Sequence, residues 1–186
     1  MVELAVAVGL TVTATATAVP QVLVGLDEAK VAGAARYVSA RFYDTRIEAV
    51  SLSAEVALRF TATNAGYVYA VYADGNGNGV LTRDIQRNID RQIHGPEHLS
   101  SQFSGVEFGT LPGLPAIDAG SSAPGADPIR FGTSDMVSFS PLGTASSGTV
   151  YIRSRSNAQY AVRVVGETAK VRIYRFEASS RLWRPL

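Results

Sequence analysis

An uncharged, apolar run at the start of the chain limits the folds open to this sequence more than any other feature. Residues 4–26 contain no Asp, Glu, Lys or Arg, and Glu3 stands directly before them. About 20 apolar residues are enough for a helix to cross the hydrocarbon core of a bilayer. The alternation in TVTATATAV also fits a strand, but a lone segment in lipid satisfies its backbone only as a helix. Residues 1–26 are therefore predicted to form a transmembrane helix, with a kink at Pro20.

A cleaved signal peptide fits this run less well than a retained helix does. Signal peptides carry a basic region before a shorter apolar core. Here an acid opens the run, and the uncharged segment is longer than such a core.

The helix is predicted to continue beyond the apolar run through residues 27–52. This segment contains no proline, and its charged residues fall mainly on other faces than its apolar ones, as in an amphipathic helix. One helix of about 45–50 residues is expected, with an apolar first half and an amphipathic second half. Its predicted apolar face consists of Val31, Ala34, Ala35, Val38, Phe42, Thr45, Ile47 and Ala49.

After residue 52 the hydrophobic period changes from that of a helix to that of strands. The sequence predicts strands at 54–63, 66–73, 136–141, 148–154, 158–166 and 170–178. Asn64-Ala65-Gly66 predicts a hairpin turn between the first two. A short helix is expected within 80–93, and a long surface loop over 94–128 with a strand near 105–110. The predicted fold class is α+β, a long N-terminal helix packed on a mostly antiparallel sheet, with residues 27–186 as one globular domain.

Composition excludes several classes of function. The net charge of +1 provides no global attraction to nucleic acid or anionic lipid. The chain has no cysteine, so disulfides and thiolate metal sites are excluded. No nucleophile elbow, P-loop or dinucleotide fingerprint is present, and Pro96 between His94 and His98 argues against a helical metal pair. The chain is not expected to be an enzyme.

Three passages resemble type IV pilin-like proteins, and among them minor pseudopilins of the GspH/FimT type from type II secretion systems. The first is Glu3-Leu4 with the uncharged run and Pro20. The second is VAGAARYVSARFYDTRIEAVSLSAEVALRF, which is similar to the helix-to-strand passage of that type. The third is FSPLGTASSGTVYIRS with YAVRVVGETAKVRIYRF, which is similar to its last strands. The resemblance implies a pilin-like fold.

The resemblance also implies a function and a location. Residues 1–26 would anchor the protein in the bacterial inner membrane and then pack in the core of a short periplasmic filament. Glu3 would pair with the N-terminal amine of a neighbouring subunit and set the axial register. The implied partners are other pseudopilins, a prepilin peptidase and an assembly platform. The basic leader and the N-methylated first residue of such proteins are not found before Glu3 in this sequence. A minor type IV pilin for DNA uptake or pilus biogenesis is the alternative.

A glycine-rich segment after the second predicted strand resembles half of a calcium-binding loop. Oxygen-bearing side chains alternate with glycine in DGNGNG, residues 74–79. Asn76 and Asn78 are neutral, and the twelfth position is Ile85 instead of an acid, so a tight turn is the simpler interpretation. Otherwise no cofactor is expected. The candidate calcium ligands are Asp74, Asn76, Asn78, the Val80 carbonyl and Asp84.

Basic and aromatic residues are interleaved near the C-terminus. Such interleaving is typical of surfaces that bind single strands or phosphate backbones. Basic residues at alternate positions of a strand are also the ordinary pattern of a solvated sheet face. If the alternative of DNA uptake holds, the candidate residues are Lys170, Arg172, Arg181 and Arg184.

Overall fold

The computed structural model describes the backbone of residues 2–118 and 120–186, and the side chains of residues 3, 25–118 and 120–186. Across these residues the chain forms a long helix followed by short helices and antiparallel strands. The predicted α+β class is confirmed.

Helix α1 runs from Val2 to Leu52. Its 51 residues span about 77 Å at 1.5 Å per residue. Ser53 adopts a left-handed conformation with φ of 52°. The amides of Ser53 and Ala54 then bond to the carbonyls of Val50 and Ala49. These two bonds form a Schellman motif, which satisfies carbonyls that the helix end would leave unpaired.

The predicted transmembrane segment 1–26 and the predicted kink at Pro20 lie outside the described side chains, apart from Glu3, Gly25 and Leu26. These three residues are exposed. When only the residues with described side chains are considered, no helix is both long enough and apolar enough to cross a membrane.

In the described residues, ten strands and two short helices follow α1. Strand β1 (Val56–Thr63) and β2 (Gly66–Ala73) form the predicted hairpin, whose register pairs Thr63 with Gly66. The later elements are α2 (Thr82–Gln86), β3 (Arg91–His98), α3 (Leu99–Gln102), β4 (Val106–Phe108), β5 (Ile129–Arg130), β6 (Met136–Phe139), β7 (Gly148–Ser154), β8 (Gln159–Val165), β9 (Lys170–Glu177) and β10 (Leu182–Pro185).

The described strands form two sheets instead of the one that the sequence predicts. The first sheet has the order β3-β2-β1-β6, and the second has β10-β9-β8-β7-β4, with β5 also paired to β7. Strand β6 pairs with β1, which lies far from it in sequence, whereas β7 pairs with its neighbour β8. Strand alternation shows which residues share a face, but it does not show which strands pair.

Strand β3 corrects the prediction of a long surface loop from residue 94. Its sequence RQIHGPEH is polar and contains Gly95-Pro96, both of which are unfavourable inside a strand. It is the outermost strand of the first sheet, where proline and polar residues are tolerated.

The core lies between one face of α1 and both sheets. Val31, Ala34, Ala35, Val38, Phe42 and Ala49 are almost fully buried on that face. The ring of Phe42 packs against the rings of Phe60, Phe131 and Phe139, and so joins the helix to both the first sheet and the loop before β6. Ile47 was predicted for the same face, but its side chain is 65% exposed.

A second apolar cluster covers the opposite face of the second sheet. Tyr151 and Ala161 are buried there beneath Leu114, which belongs to the segment between β4 and β5. The indole of Trp183 on β10 donates to the carbonyl of Pro115 and holds that segment in place.

Candidate functional site

Helix α1 carries a second apolar face in addition to the one in the core. Tyr43, Ile47 and Val50 are 44%, 65% and 55% exposed, at the three- and four-residue spacing of one helix face. Exposed Ala29 and Ala40 extend this face toward the N-terminus, with Arg36 between them. We call Ala29, Ala40, Tyr43, Ile47 and Val50 the outer stripe. At 3.6 residues per turn, it lies roughly 150° from the core face.

The outer stripe begins close to the end of the uncharged run on the same helix. Both belong to α1, and the stripe reaches Ala29, three residues after Leu26. Leu26 is itself 55% exposed. A continuous helix with an apolar surface on the side away from its own sheets is suited to packing against other helices or lipid.

A cleft of about 280 Å³ lies between α1 and the edge of the first sheet. Residues 41–48 of α1 form one wall, and residues of β2 and β3 form the other. Sequence patterns do not indicate this site, because helix residues 41–48 face residues 69–71 and 94–97, and residues from 94 onward were expected to be loop. We call it the helix–edge cleft.

The carboxylate of Glu97 on β3 accepts hydrogen bonds from three side chains in the helix–edge cleft. The hydroxyls of Tyr37 and Tyr69 donate to its Oε2 at 2.7 and 2.9 Å, and Arg41 donates to its Oε1 at 2.7 Å. Burial raises the pKa of Glu97, but these three donors outweigh burial and hold it below its usual value. The carboxylate is therefore ionised, and it ties the edge strand to α1.

Glu48 and His94 form a second link across the same cleft. The Nε2 atom of His94 lies 2.5 Å from Oε1 of Glu48. The other oxygen, Oε2, is buried and has no hydrogen-bond partner among the described residues. His94 was considered above only as a metal ligand with His98. The described residues contain no group of three or more His, Cys, Asp or Glu side chains that could hold a metal ion.

The candidate calcium loop closes on itself through hydrogen bonds. Asp74 accepts the backbone N–H groups of Asn76 and Gly77 on Oδ1 and that of Gly79 on Oδ2. Burial raises the pKa of Asp74, but these backbone donors outweigh it and lower the pKa. The amide of Asn78 donates to Asp84, whose side chain is almost fully buried.

A third acid, Asp90, also accepts hydrogen bonds from this loop. Its two oxygens accept the backbone N–H groups of Gly75 and Leu81. Val80 is buried in a small cluster with Ala57 and Met136. Asp74 and Asp90 thus accept hydrogen bonds from the loop's own backbone, as in an Asx-type turn that holds its shape without any ion. Calcium binding at this loop stays a prediction.

The four basic residues of the predicted nucleic-acid surface do not share one surface. Strand β10 pairs Arg184 with Arg175, and Arg175 forms an ion pair with Glu28 of α1, so Arg184 lies on the helix side of the sheet. Arg172 is three residues from Arg175 on β9 and therefore projects from the opposite face, as does Lys170.

Two of these four basic residues interact with other groups of the same chain. Arg181 donates to the carbonyl of Gly113 at 2.9 Å, and Arg184 pairs with Glu177 at 3.3 Å. Beside Arg172, strand pairing places Arg163, which forms an ion pair with Asp118 at 2.5 Å. Within the part of the chain that the structure describes, Arg184 is the one member with an ion pair, and Lys170 and Arg172 have neither an ion pair nor a side-chain hydrogen bond.

No protein-family model, curated protein or solved structure gives a significant match to this chain.

Proposed function

We propose that this protein is a minor pseudopilin, a subunit that assembles through α1 into the periplasmic filament of a type II secretion system. The outer stripe is the observation that carries this proposal. A helix that serves only its own domain needs one apolar face, and α1 already uses its core face for that purpose. The second face, opposite the first and continuous with the uncharged run, is suited to neighbouring subunits.

Charge on α1 supports the same assignment. Residues 4–26 have no charge, and the five residues of the outer stripe are uncharged, although the exposed charged side chains of Lys30, Arg36 and Asp44 lie between them along the helix. Charged side chains in a packed helical core are costly unless they are paired. Glu3, the acid at the head of the run, would therefore pair with the N-terminal amine of the next subunit and set its axial position.

The location follows from the same helix. Residues 1–26 would hold the protein in the inner membrane before assembly, with the domain of residues 27–186 in the periplasm. The sheets would lie on the outside of the filament, at or near its tip, where they can contact other minor subunits.

The variant Ile47→Lys tests the outer stripe. Ile47 is 65% exposed in the single chain, so we expect the free energy of unfolding to change by no more than about 0.5 kcal/mol. Incorporation into sheared filaments should fall by about tenfold or more, since a lysine would be desolvated at the subunit contact. Immunoblots of the filament and cell fractions measure this.

Leu142→Lys is the matched control. Leu142 is 91% exposed on the turn after β6 and does not belong to α1. It should assemble as the unchanged chain does. Normal incorporation of Ile47→Lys, or equal loss in both variants, would contradict the proposed role of the stripe.

Glu3→Ala tests the pairing at the head of the helix. Loss of the carboxylate removes the partner of the neighbouring amine and should reduce incorporation while the protein remains in the membrane fraction. Glu3→Gln separates charge from hydrogen bonding, and we expect it to assemble as poorly as the alanine variant. Unchanged incorporation of both variants would count against this role.

A further inference from the structure

The helix–edge cleft lies next to a β-bulge in the edge strand β3. Strand β3 shifts register against β2 on both sides of the Val71–His94 pair. At this bulge Gly95 has φ of +89°, and a Cβ atom on it would lie 2.9 Å from the carbonyl oxygen of Tyr69. Glycine thus permits a close approach that other residues would resist. The cleft lies between this bulged strand and α1.

The walls of the cleft are largely apolar, whereas its rim is acidic. Val71 on β2 and Ile47 on α1 contribute apolar surface. Asp44, Glu48 and Glu97 line the same space, and Arg41 lies on the same helix wall as Asp44 and Glu48. Because Arg41 pairs at 2.7 Å with Glu97, and only at 3.8 Å with Asp44, the negative charge of Asp44 and Glu48 is not balanced by it.

Glu48 is the acidic residue of the cleft with an oxygen, Oε2, that has no hydrogen-bond partner among the described residues. Among the described residues its one side-chain hydrogen bond is to His94, whose side chain is 56% exposed. Asp44 precedes Glu48 by four residues on the helix, so both carboxylates face the same side. A long apolar stem with a cation at its end matches this combination of apolar walls and acidic rim.

We infer that the helix–edge cleft receives a lysine or arginine side chain of the neighbouring filament subunit. Ile47 belongs both to the outer stripe and to the wall of the cleft, so a subunit that covers the stripe also reaches the cleft. The identity of the occupant as a filament neighbour rests on the proposed function. The preference for a basic side chain rests on the cleft alone.

A pair of small molecules tests this preference. N-acetyl-arginine methylamide is the probe, and N-acetyl-citrulline methylamide is its neutral counterpart of nearly the same shape. The full chain in detergent micelles is titrated with each, and the backbone amide resonances of Val71 and Gly95 are followed by NMR. We expect saturable shifts at millimolar concentration with the arginine compound and none with the citrulline compound.

Two variants assign the binding to its residues. Glu48→Gln should weaken binding of the arginine compound by about tenfold, since a hydrogen bond to a charged group is lost. His94→Ala should strengthen binding several-fold, because it frees the Oε1 atom of Glu48 for the probe. Asp44→Asn, at a residue whose side chain is 60% exposed, provides a second charge removal in case Glu48→Gln does not fold.

Equal shifts with both compounds, or unchanged binding after Glu48→Gln or Asp44→Asn, would overturn the inference. The two proposals also fail separately. If the probe binds as expected but Ile47→Lys assembles normally, the preference of the cleft for a basic side chain is supported and the filament proposal is contradicted. If the stripe variants behave as expected but no probe binds, the filament proposal stands and the cleft inference falls.

Discussion

At the scale of single residues, Glu97 is the group whose ionisation matters most to the edge of the first sheet. Two tyrosine hydroxyls and the Arg41 guanidinium converge on one carboxylate, and Arg41 also lies 5.1 Å from the ring centre of Tyr37. Burial, followed by hydrogen bonds to Tyr37 and Glu97, raises the pKa of Tyr69, so Tyr69 remains a donor at physiological pH. The cluster therefore holds β3 against α1 most strongly while Glu97 is ionised, because hydrogen bonds to a charged acceptor are the stronger ones.

Glu97 should make the stability of the protein depend on pH. Its pKa in the folded chain lies below its unfolded value near 4.5, so its ionised form stabilises the fold above about pH 4.5. This contribution is lost as the pH falls through the folded-state pKa. Glu97→Gln should lower the free energy of unfolding at pH 7 by about 1–3 kcal/mol. It should also narrow the difference in stability between pH 7 and pH 3.

Denaturant unfolding at the two pH values measures this effect, and Glu107→Gln is the matched control. Glu107 also pairs with an arginine, Arg153, but its side chain is 56% exposed, so a much smaller change is expected. A Glu97→Gln variant with the same pH dependence as the unchanged chain would contradict the stabilising role.

At the scale of elements, α1 carries two apolar faces, one buried against the sheets and one exposed. Phe42 and Tyr43 are consecutive aromatic residues, yet Phe42 is fully buried and Tyr43 is 44% exposed. The core face joins the two sheets, and the outer stripe remains available to other molecules. Under the proposed function, assembly and stability would be divided between opposite sides of one helix.

Phe42→Ala and Tyr43→Ala should separate these two roles. Removal of the buried ring leaves a cavity among Phe60, Phe131 and Phe139, so Phe42→Ala should lower the free energy of unfolding by about 3–5 kcal/mol. Tyr43→Ala should cost no more than about 1 kcal/mol but should impair filament assembly. Chemical denaturation measures the first effect and filament shearing the second. Similar destabilisation by both would contradict the assignment of the two faces.

At the scale of the whole molecule, the basic residues are distributed over several surfaces and do not form one patch. The net charge is +1, and the basic residues near the C-terminus lie on both faces of the second sheet. Several of them pair with acids of the same chain, as Arg175 does with Glu28. Such a surface offers no continuous track for a phosphate backbone.

We therefore expect weak retention on immobilised DNA. The full chain should elute below about 100 mM salt, since few phosphates would be neutralised at one time. Arg172→Ala and Arg184→Ala, one from each face, should change the elution salt little. Retention well above this salt that falls sharply with Arg172→Ala would instead favour the alternative function in DNA uptake.

The sequence by itself determined the elements with strong periodicity. The continuation of α1 through residue 52, the β1–β2 hairpin and strands β7 to β9 follow from apolar spacing and turn residues, which are local properties. The sequence also indicated most of the core face of α1, because burial of one helix face obeys the same period. Ile47 departs from that face because a 3.6-residue period rotates it to the outer side.

Only the tertiary structure decided which distant residues meet. The division into two sheets, the edge position of β3 and the helix–edge cleft all depend on contacts between segments far apart in sequence. Local periodicity contains no information on such pairings, because each strand could satisfy its backbone against several partners. Glu97 illustrates this limit: in the sequence it is one polar residue after a proline, and in the fold it gathers Tyr37, Arg41 and Tyr69 around one carboxylate.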